Sequence, residues 1–97
     1  MAEPITVEIV NKRGLHARAA AKFVKVVNSH NVTVQVIKSG RNNEGDSPTV
    51  QGSSILGLMM LGADRGSHLR ISASGPQEKE VLAALTELVA GKFGEEE

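Results

Sequence analysis

The sequence of 97 residues lacks cysteine, tryptophan and tyrosine, and its two aromatic side chains are Phe23 and Phe93. Without cysteine the chain cannot form a disulfide, a thiolate metal site or a cysteine nucleophile. So few aromatic rings also leave no platform on which nucleic-acid bases could stack. Cysteine chemistry is therefore excluded, and single-strand nucleic-acid binding is not expected.

The chain also lacks an excess of charge. Its 11 lysines and arginines balance its 11 aspartates and glutamates, so nothing favours nucleic acid or an anionic membrane as a partner. No apolar run approaches the roughly 20 residues of a membrane helix, and residues 1–4 show no signal-peptide pattern. With 40% hydrophobic and 23% charged residues, we expect one soluble, cytoplasmic domain over residues 1–97.

Apolar and polar residues alternate in several segments, as they do in strands with one buried face. The predicted strands are residues 5–10, 32–37 and 68–73, with a shorter strand at 49–51. Residues 38–48 are rich in glycine and polar side chains and predict a loop.

Apolar residues at helical spacing predict three helices. The first begins at Ala17, the second spans residues 55–61, and the third follows Gly75-Pro76 and ends at Gly91. Their predicted buried residues are Ala20, Phe23, Val24 and Val27 on the first helix, Leu58 and Leu61 on the second, and Val81, Leu82, Leu85, Leu88 and Val89 on the third. The order of elements predicts an α+β fold, with helices covering one face of a mainly antiparallel four-stranded sheet.

The segment Gly14-Leu15-His16-Ala17-Arg18 joins the first strand to the first helix. His16 lies at or beside the N-cap, where Ser, Thr, Asp or Asn is usual. The free N–H groups of the first turn attract an anion, and the helix dipole favours a neutral imidazole, which is a nucleophile. Arg18 can hold a bound anion with its planar guanidinium. This pattern suits a phosphoryl group accepted on His16, although a surface histidine at an ordinary junction fits the same spacing.

The same five residues resemble the active-site motif of HPr, the histidine phosphocarrier family of the bacterial phosphotransferase system. Residues 54–62 and 71–75 are similar to two further family segments, so the resemblance covers nearly the whole chain in order. Asn11-Lys12 and residues 75–78 resemble the nitrogen-branch members, the NPr proteins. The resemblance implies an open-faced β-sandwich with four antiparallel strands and three helices.

The resemblance also implies the roles of several residues. His16 would be phosphorylated on Nδ1 by phospho-enzyme I, which takes its phosphate from phosphoenolpyruvate, and Arg18 would stabilise the phosphohistidine. The acceptor would be a histidine of an enzyme IIA protein. The chain would be a transfer intermediate without a cofactor or metal rather than a stand-alone enzyme. We expect the regulatory, nitrogen-type branch, with sugar transport as the alternative.

Ser54 matches the serine that HPr kinase/phosphorylase modifies in some bacteria, although Ser at a helix start is often only an N-cap. The resemblance further implies an exposed apolar surface for partner proteins, formed by Ile55, Leu56 and Met59 and framed by Ala17, Ala21, Lys22 and Lys25. Packing in the core is the alternative role for the apolar members of this set. We expect a monomer that binds its partners briefly.

Two features depart from the family pattern. Ala19 stands where proline is usual, which predicts an intact site with a looser first helical turn. The loop of residues 38–48 is longer than expected, and we expect it to lie away from His16. Two other functions stay open: a partner-switching regulator controlled at Ser54, and a small-molecule-binding domain of the ferredoxin-like type in which His16 is incidental. His30 and His68 predict no metal site.

Overall fold

The structure, a computed structural model, describes residues 2–40 and 45–97. Its elements are β1 (Ile5–Glu8), α1 (Ala17–Asn28), β2 (Thr33–Lys38), β3 (Val50–Gln51), α2 (Ile55–Met60), β4 (His68–Ser74) and α3 (Glu78–Ala90), followed by a 3₁₀ turn at Lys92–Gly94. The predicted order and the α+β class are confirmed, and most element ends differ from the prediction by one or two residues. None of the described helices has the length and apolar character of a membrane span.

The four strands form one antiparallel sheet in the order β1-β4-β2-β3. The inner strand β4 pairs with β1 from Ile5↔Ile71 to Glu8↔His68, and with β2 from Thr33↔Ser74 to Lys38↔Leu69. Because β1 and β2 are both antiparallel to β4, they run in the same direction. The connection from β1 to α1 and the loop after β2 therefore leave from the same end of the sheet.

The core lies between one sheet face and the helices. Alternate strand residues point to this face, as the pleat requires, and they include Val7, Val34, Val36, Leu69, Ile71 and Ala73. The predicted helical residues are buried against them, except that Val24 and Leu88 are only partly buried. Ala19, which was not among the predicted core residues, is fully buried. The helix faces read from the sequence are thus confirmed in their main positions.

The described part of the loop at residues 38–48 packs back on the sheet. Asp46 pairs with Arg70 at 3.0 Å, and the Gly40 N–H donates to the Asp46 carboxylate at 3.1 Å. The Gly40 hydrogen bond, and then the Arg70 guanidinium, hold the pKa of Asp46 below its usual value. The loop leaves the sheet at the same end as the β1–α1 connection, and its position relative to His16 stays a prediction. Residues 41–44 of this loop are outside the described residues.

Candidate functional site

A sharp bend at Gly14 brings His16 to the start of α1. Gly14 has φ +68°, and a Cβ at this position would lie 2.6 Å from the carbonyl oxygen of Ala63. The next residue, Leu15, donates its N–H to the same carbonyl at 2.9 Å. Only glycine combines this dihedral with so close an approach of backbone. The bend therefore depends on Gly14 and fixes the direction in which His16 enters the helix.

His16 is the N-cap residue of α1, as predicted. Its backbone is extended, and its Nδ1 accepts the N–H of Arg18 at 3.2 Å. The imidazole thus occupies the place where Ser or Asn would supply an oxygen. Because Nδ1 accepts a hydrogen bond, the proton of the neutral ring lies on Nε2. The lone pair of Nδ1 is therefore presented toward the amides of the first helical turn.

Arg18 and Ala19 complete the first turn of α1. The guanidinium of Arg18 is exposed and forms no ion pair within the described ranges, 2–40 and 45–97, so it is available to an anion. Ala19 is fully buried, and the Ala20 N–H closes the turn on the His16 carbonyl at 2.8 Å. The helix thus forms without the proline that is usual at position 19, while the looser first turn stays a prediction.

A carboxylate that the sequence reading missed lies on the other side of the imidazole. Glu95 Oε2 is hydrogen-bonded to Nε2 of His16. The buried side chain of Asn11 donates from Nδ2 to Glu95 Oε1 at 3.0 Å and to the Gly14 carbonyl at 2.8 Å. The hydrogen bond from His16, and then that from Asn11, hold the pKa of Glu95 below its usual value. His16 is thus held between a helix amide at Nδ1 and a carboxylate at Nε2.

Glu95 reaches His16 through a return segment, residues 91–97, which follows α3. Lys92, Phe93 and Gly94 have φ values of 59°, 55° and 79°, so three consecutive residues have left-handed backbone conformations. Phe93 is fully buried, and its carbonyl oxygen accepts a hydrogen bond from Nζ of Lys22 at 2.6 Å. The elements predicted from the sequence end at Gly91, so this segment had no predicted role. A large aromatic side chain, Phe93, between Gly91 and Gly94 was the sequence signal that this segment packs against the core.

The second helix exposes the three apolar residues predicted for this surface and also Met60, which the prediction did not include. Ile55, Leu56, Met59 and Met60 are 42%, 68%, 42% and 76% exposed, and we call them the apolar patch. Leu58 and Leu61 are buried, as predicted. Ser54 is the N-cap of α2, and its Oγ accepts the Gly57 N–H at 2.9 Å. The short helix is therefore held in the core by its inner side chains while its outer face stays apolar and open.

The patch and His16 belong to adjoining elements, because α1 and α2 pack against each other. Ala17, Ala21 and Lys25 are exposed on α1, and Lys22 is exposed although its amine is bound to the Phe93 carbonyl. Lys22 thus has a structural contact that the prediction of a framing residue did not include.

The other two histidines lie apart from this arrangement. His30 is at the end of α1, where Nδ1 is 2.8 Å from the Val26 carbonyl. His68 begins β4 and is 3.7 Å from the Glu8 carboxylate. Over residues 2–40 and 45–97, no group of three or more His, Asp or Glu side chains is arranged to hold a metal ion.

Comparisons with known proteins agree with this geometry. Residues 4–91 match the family model described as "PTS HPr component phosphorylation site". The phosphocarrier protein HPr of Pseudomonas aeruginosa is 46% identical over 93 residues, which cover 96% of this chain and 97% of that protein. The phosphocarrier protein NPr of Escherichia coli K12 is 37% identical over 91 residues, 94% of each chain.

The fold agrees as well. A crystal structure of HPr-C-His from Thermoanaerobacter tengcongensis superposes with a TM-score of 0.82 and 38% sequence identity, covering 99% of this chain and all of that one. The resemblance inferred from residues 14–18 and the two later motifs is thus confirmed. The chain belongs to the HPr family, the phosphocarrier proteins of the phosphotransferase system.

Proposed function

We propose that this chain accepts a phosphoryl group on Nδ1 of His16 from phospho-enzyme I and passes it to a histidine of an enzyme IIA protein. The observation that carries the proposal is the hydrogen bond from the Arg18 N–H to Nδ1 at the start of α1. A phosphoryl group bonded to this nitrogen lies within reach of free helix amides. Their N–H groups and the positive end of the helix dipole stabilise its negative charge.

The transfer needs no proton to leave the attacking atom. The Nδ1 lone pair of His16 attacks phosphorus and forms a new N–P bond, while the N–P bond of the donor phosphohistidine breaks and its electron pair returns to the donor ring. Onward transfer reverses these roles, with His16 as the leaving group. The exposed guanidinium of Arg18 can donate two hydrogen bonds to the phosphoryl oxygens, as its planar geometry favours.

The apolar patch is the proposed docking surface for these partners. Its four large side chains are exposed together beside the helix that begins at His16. Methionine side chains adapt to more than one partner surface, which suits a carrier that must bind a donor and an acceptor in turn. The small side chains of Ala17 and Ala21 leave room for a partner protein to approach closely. Lys25 attracts acidic partner surfaces, and so does Lys22, although its amine is also bonded to the Phe93 carbonyl.

Ser54 is the proposed regulatory site, with HPr kinase/phosphorylase as the modifying enzyme. Its hydroxyl caps α2 directly beside the apolar patch. A phosphate there would add nearly two negative charges, which the helix start tolerates but an apolar docking surface does not. Modification at Ser54 would therefore weaken partner binding without unfolding the helix.

The relatives include both HPr and NPr proteins, so the choice of branch depends on the residues themselves. Asn11-Lys12 and residues 75–78 favour the nitrogen-regulatory branch, and sugar transport is the second candidate. Transfer from the labelled carrier to nitrogen-type and sugar-type enzyme IIA proteins, compared under single-turnover conditions, distinguishes them. Faster transfer to a sugar-type acceptor would reject the regulatory assignment.

The direct test is labelling with radioactive phosphoenolpyruvate and enzyme I. We expect one phosphoryl group per chain, labile in acid and stable in base, and no label on His16→Ala. Label on His16→Ala would refute the proposal. Absence of label on the unaltered chain, with an enzyme I that phosphorylates another HPr, would favour the partner-switching regulator instead.

A further inference from the structure

The return segment is tied to the His16 site by several independent contacts. Glu95 is bonded to the His16 ring, and both side chains are 17% exposed. Asn11 holds the second oxygen of the Glu95 carboxylate. The Lys12 N–H donates to the Glu97 carbonyl, so backbone as well as side chains join the two segments. The position of the carboxylate is therefore built into the fold rather than left to a free side chain.

We propose that Glu95 is a positioning residue for phosphoryl transfer: its carboxylate accepts a hydrogen bond from the Nε2–H of His16, which leaves Nδ1 without a proton and directed at the helix amides. This inference depends on the proposed function, because it assigns Nδ1 as the attacking atom. It adds a residue outside the motif of residues 14–18, from a segment almost eighty positions away in sequence.

The carboxylate also acts during the step itself. When Nδ1 forms its bond to phosphorus, the ring retains the Nε2 proton and becomes a phosphoimidazolium with a positive charge. The adjacent Glu95 carboxylate compensates that charge. When the N–P bond breaks in onward transfer, its electron pair returns to Nδ1 and the ring is again neutral, with its proton still on Nε2. Atoms, electrons and protons are thus conserved without a further reactant.

Three features of the return segment prepare this contact. Two non-glycine residues, Lys92 and Phe93, adopt left-handed backbone conformations, which persist only where surrounding packing enforces them. The buried Phe93 ring and the Lys22 amine on its carbonyl supply that packing. Glu95 follows these left-handed residues and contacts His16, so the turn sets the position of the carboxylate beside the proposed nucleophile.

The surrounding charges are mixed. Arg13 attracts the Glu95 carboxylate at longer range, and His16 and Asn11 donate to it. Lys12 is paired with the Glu97 side chain at 3.6 Å, and both are largely exposed. Glu96 is exposed on the same segment. This neighbour provides a matched control, because it has the same charge and lies on the same segment but makes neither of the hydrogen bonds that join Glu95 to His16 and Asn11.

The test compares Glu95→Gln with Glu96→Gln in two measurements. The first is the ¹⁵N spectrum of the His16 ring at about pH 9, where histidine rings are neutral. We expect the Nε2–H form to dominate in the unaltered chain and in Glu96→Gln, and a mixture with the Nδ1–H form in Glu95→Gln. The amide is nearly the same size as the carboxylate, so folding is retained, and thermal unfolding verifies it.

The second measurement is the single-turnover rate of phosphoryl transfer from phospho-enzyme I. We expect Glu95→Gln to be slower by about tenfold or more, the scale seen when the carboxylate that orients a metal-binding histidine is removed, and Glu96→Gln to be unchanged. An unchanged tautomer population or an unchanged rate in folded Glu95→Gln would overturn the inference. The spectrum requires no phosphorylation, so failure of the proposed function would be seen separately, as absence of label on the unaltered chain.

Discussion

The starts of α1 and α2 solve the same structural problem with different side chains. At α2, the Ser54 hydroxyl accepts the Gly57 N–H at 2.9 Å, an ordinary N-cap. At α1, the His16 imidazole accepts the Arg18 N–H at the longer distance of 3.2 Å. Histidine is not a favoured N-cap, and further support comes from Glu95 on its other nitrogen. Thus α2 begins with a residue that stabilises it, whereas α1 begins with the proposed phosphoryl acceptor, whose ring other segments hold in place.

Alanine substitutions at the two caps should separate stability from activity. His16→Ala is expected to lose phosphoryl acceptance completely, because the attacking nitrogen is removed. Ser54→Ala should destabilise the protein by about 1 kcal/mol through loss of the cap while transfer continues at nearly the original rate. Labelling from phosphoenolpyruvate and urea denaturation of both variants measure the two effects. Label on His16→Ala, or loss of labelling in folded Ser54→Ala, would contradict the assignment of chemistry to the first cap and stability to the second.

Removal of the exposed Arg18 guanidinium, beside the first cap, should have the next largest effect on the rate of phosphoryl transfer. Arg18→Ala is expected to slow phosphoryl transfer by about 100-fold, the scale of losing a donor to a developing negative charge. Its stability should change by less than about 0.5 kcal/mol, because the side chain is exposed. Arg18→Lys retains the charge without the planar pair of donors and should recover part of the rate. Equal transfer rates for Arg18→Ala and the unaltered chain would show that the guanidinium does not contact the transferred phosphoryl group.

A negative charge at the second cap should weaken partner binding but leave the chemistry intact. Ser54→Asp retains a capping oxygen and is therefore expected to fold as stably as the unaltered chain. Its charge beside the apolar patch should weaken binding to enzyme I about tenfold, equivalent to ~1.4 kcal/mol. Titration of transfer rate against enzyme I concentration separates weaker binding from slower chemistry. Ser54→Asn, which caps without charge, is the control, and an equal loss in that variant would exclude the electrostatic explanation.

The smallest expected effect is on the pH dependence of stability. The Glu95 pKa is lowered in the folded chain by the hydrogen bond from His16 and then that from Asn11. Such a carboxyl binds its proton less readily when folded, so its contribution is complete above the unfolded pKa and disappears as the pH falls through the folded pKa. Glu95→Gln should therefore lose less stability between about pH 5 and pH 3 than the unaltered chain.

Urea denaturation across that pH range measures the difference. Ser54→Ala supplies the contrast, because a hydroxyl does not titrate and its loss should lower stability evenly at every pH. Parallel curves for Glu95→Gln and the unaltered chain would show that the carboxylate does not interact with the site in solution.

The parts that sequence reading predicted are those with local causes. Strand alternation predicted one buried face for residues 32–37, and Val34 and Val36 are both buried. The helical spacing after Ala17 identified Phe23 and Val27, and the strand–helix junction placed His16 at the N-cap. Each of these signals is contained within a few consecutive residues, so periodicity and capping preferences are sufficient to detect it.

The parts that sequence reading missed depend on contacts between distant segments. Asn11 entered the sequence analysis only through the resemblance to the NPr proteins, yet its buried amide joins Gly14 to Glu95. No predicted element covered residues 92–97, yet this segment returns to the site through the buried Phe93 ring. Neither property is encoded in a local pattern, since each requires the pairing of elements that are far apart in the chain.

The sequence by itself determined the class of fold, the helix faces, the position of His16 and Arg18 at one helix start, and the family resemblance. Periodicity and short motifs carry that information residue by residue. Only the tertiary structure decided what lies against the second ring nitrogen of His16. The left-handed turn and the buried Phe93 ring return the chain to the site and bring Glu95 to the imidazole. A residue's chemical neighbours depend on packing across the whole chain, whereas its local conformation depends mainly on the residues beside it.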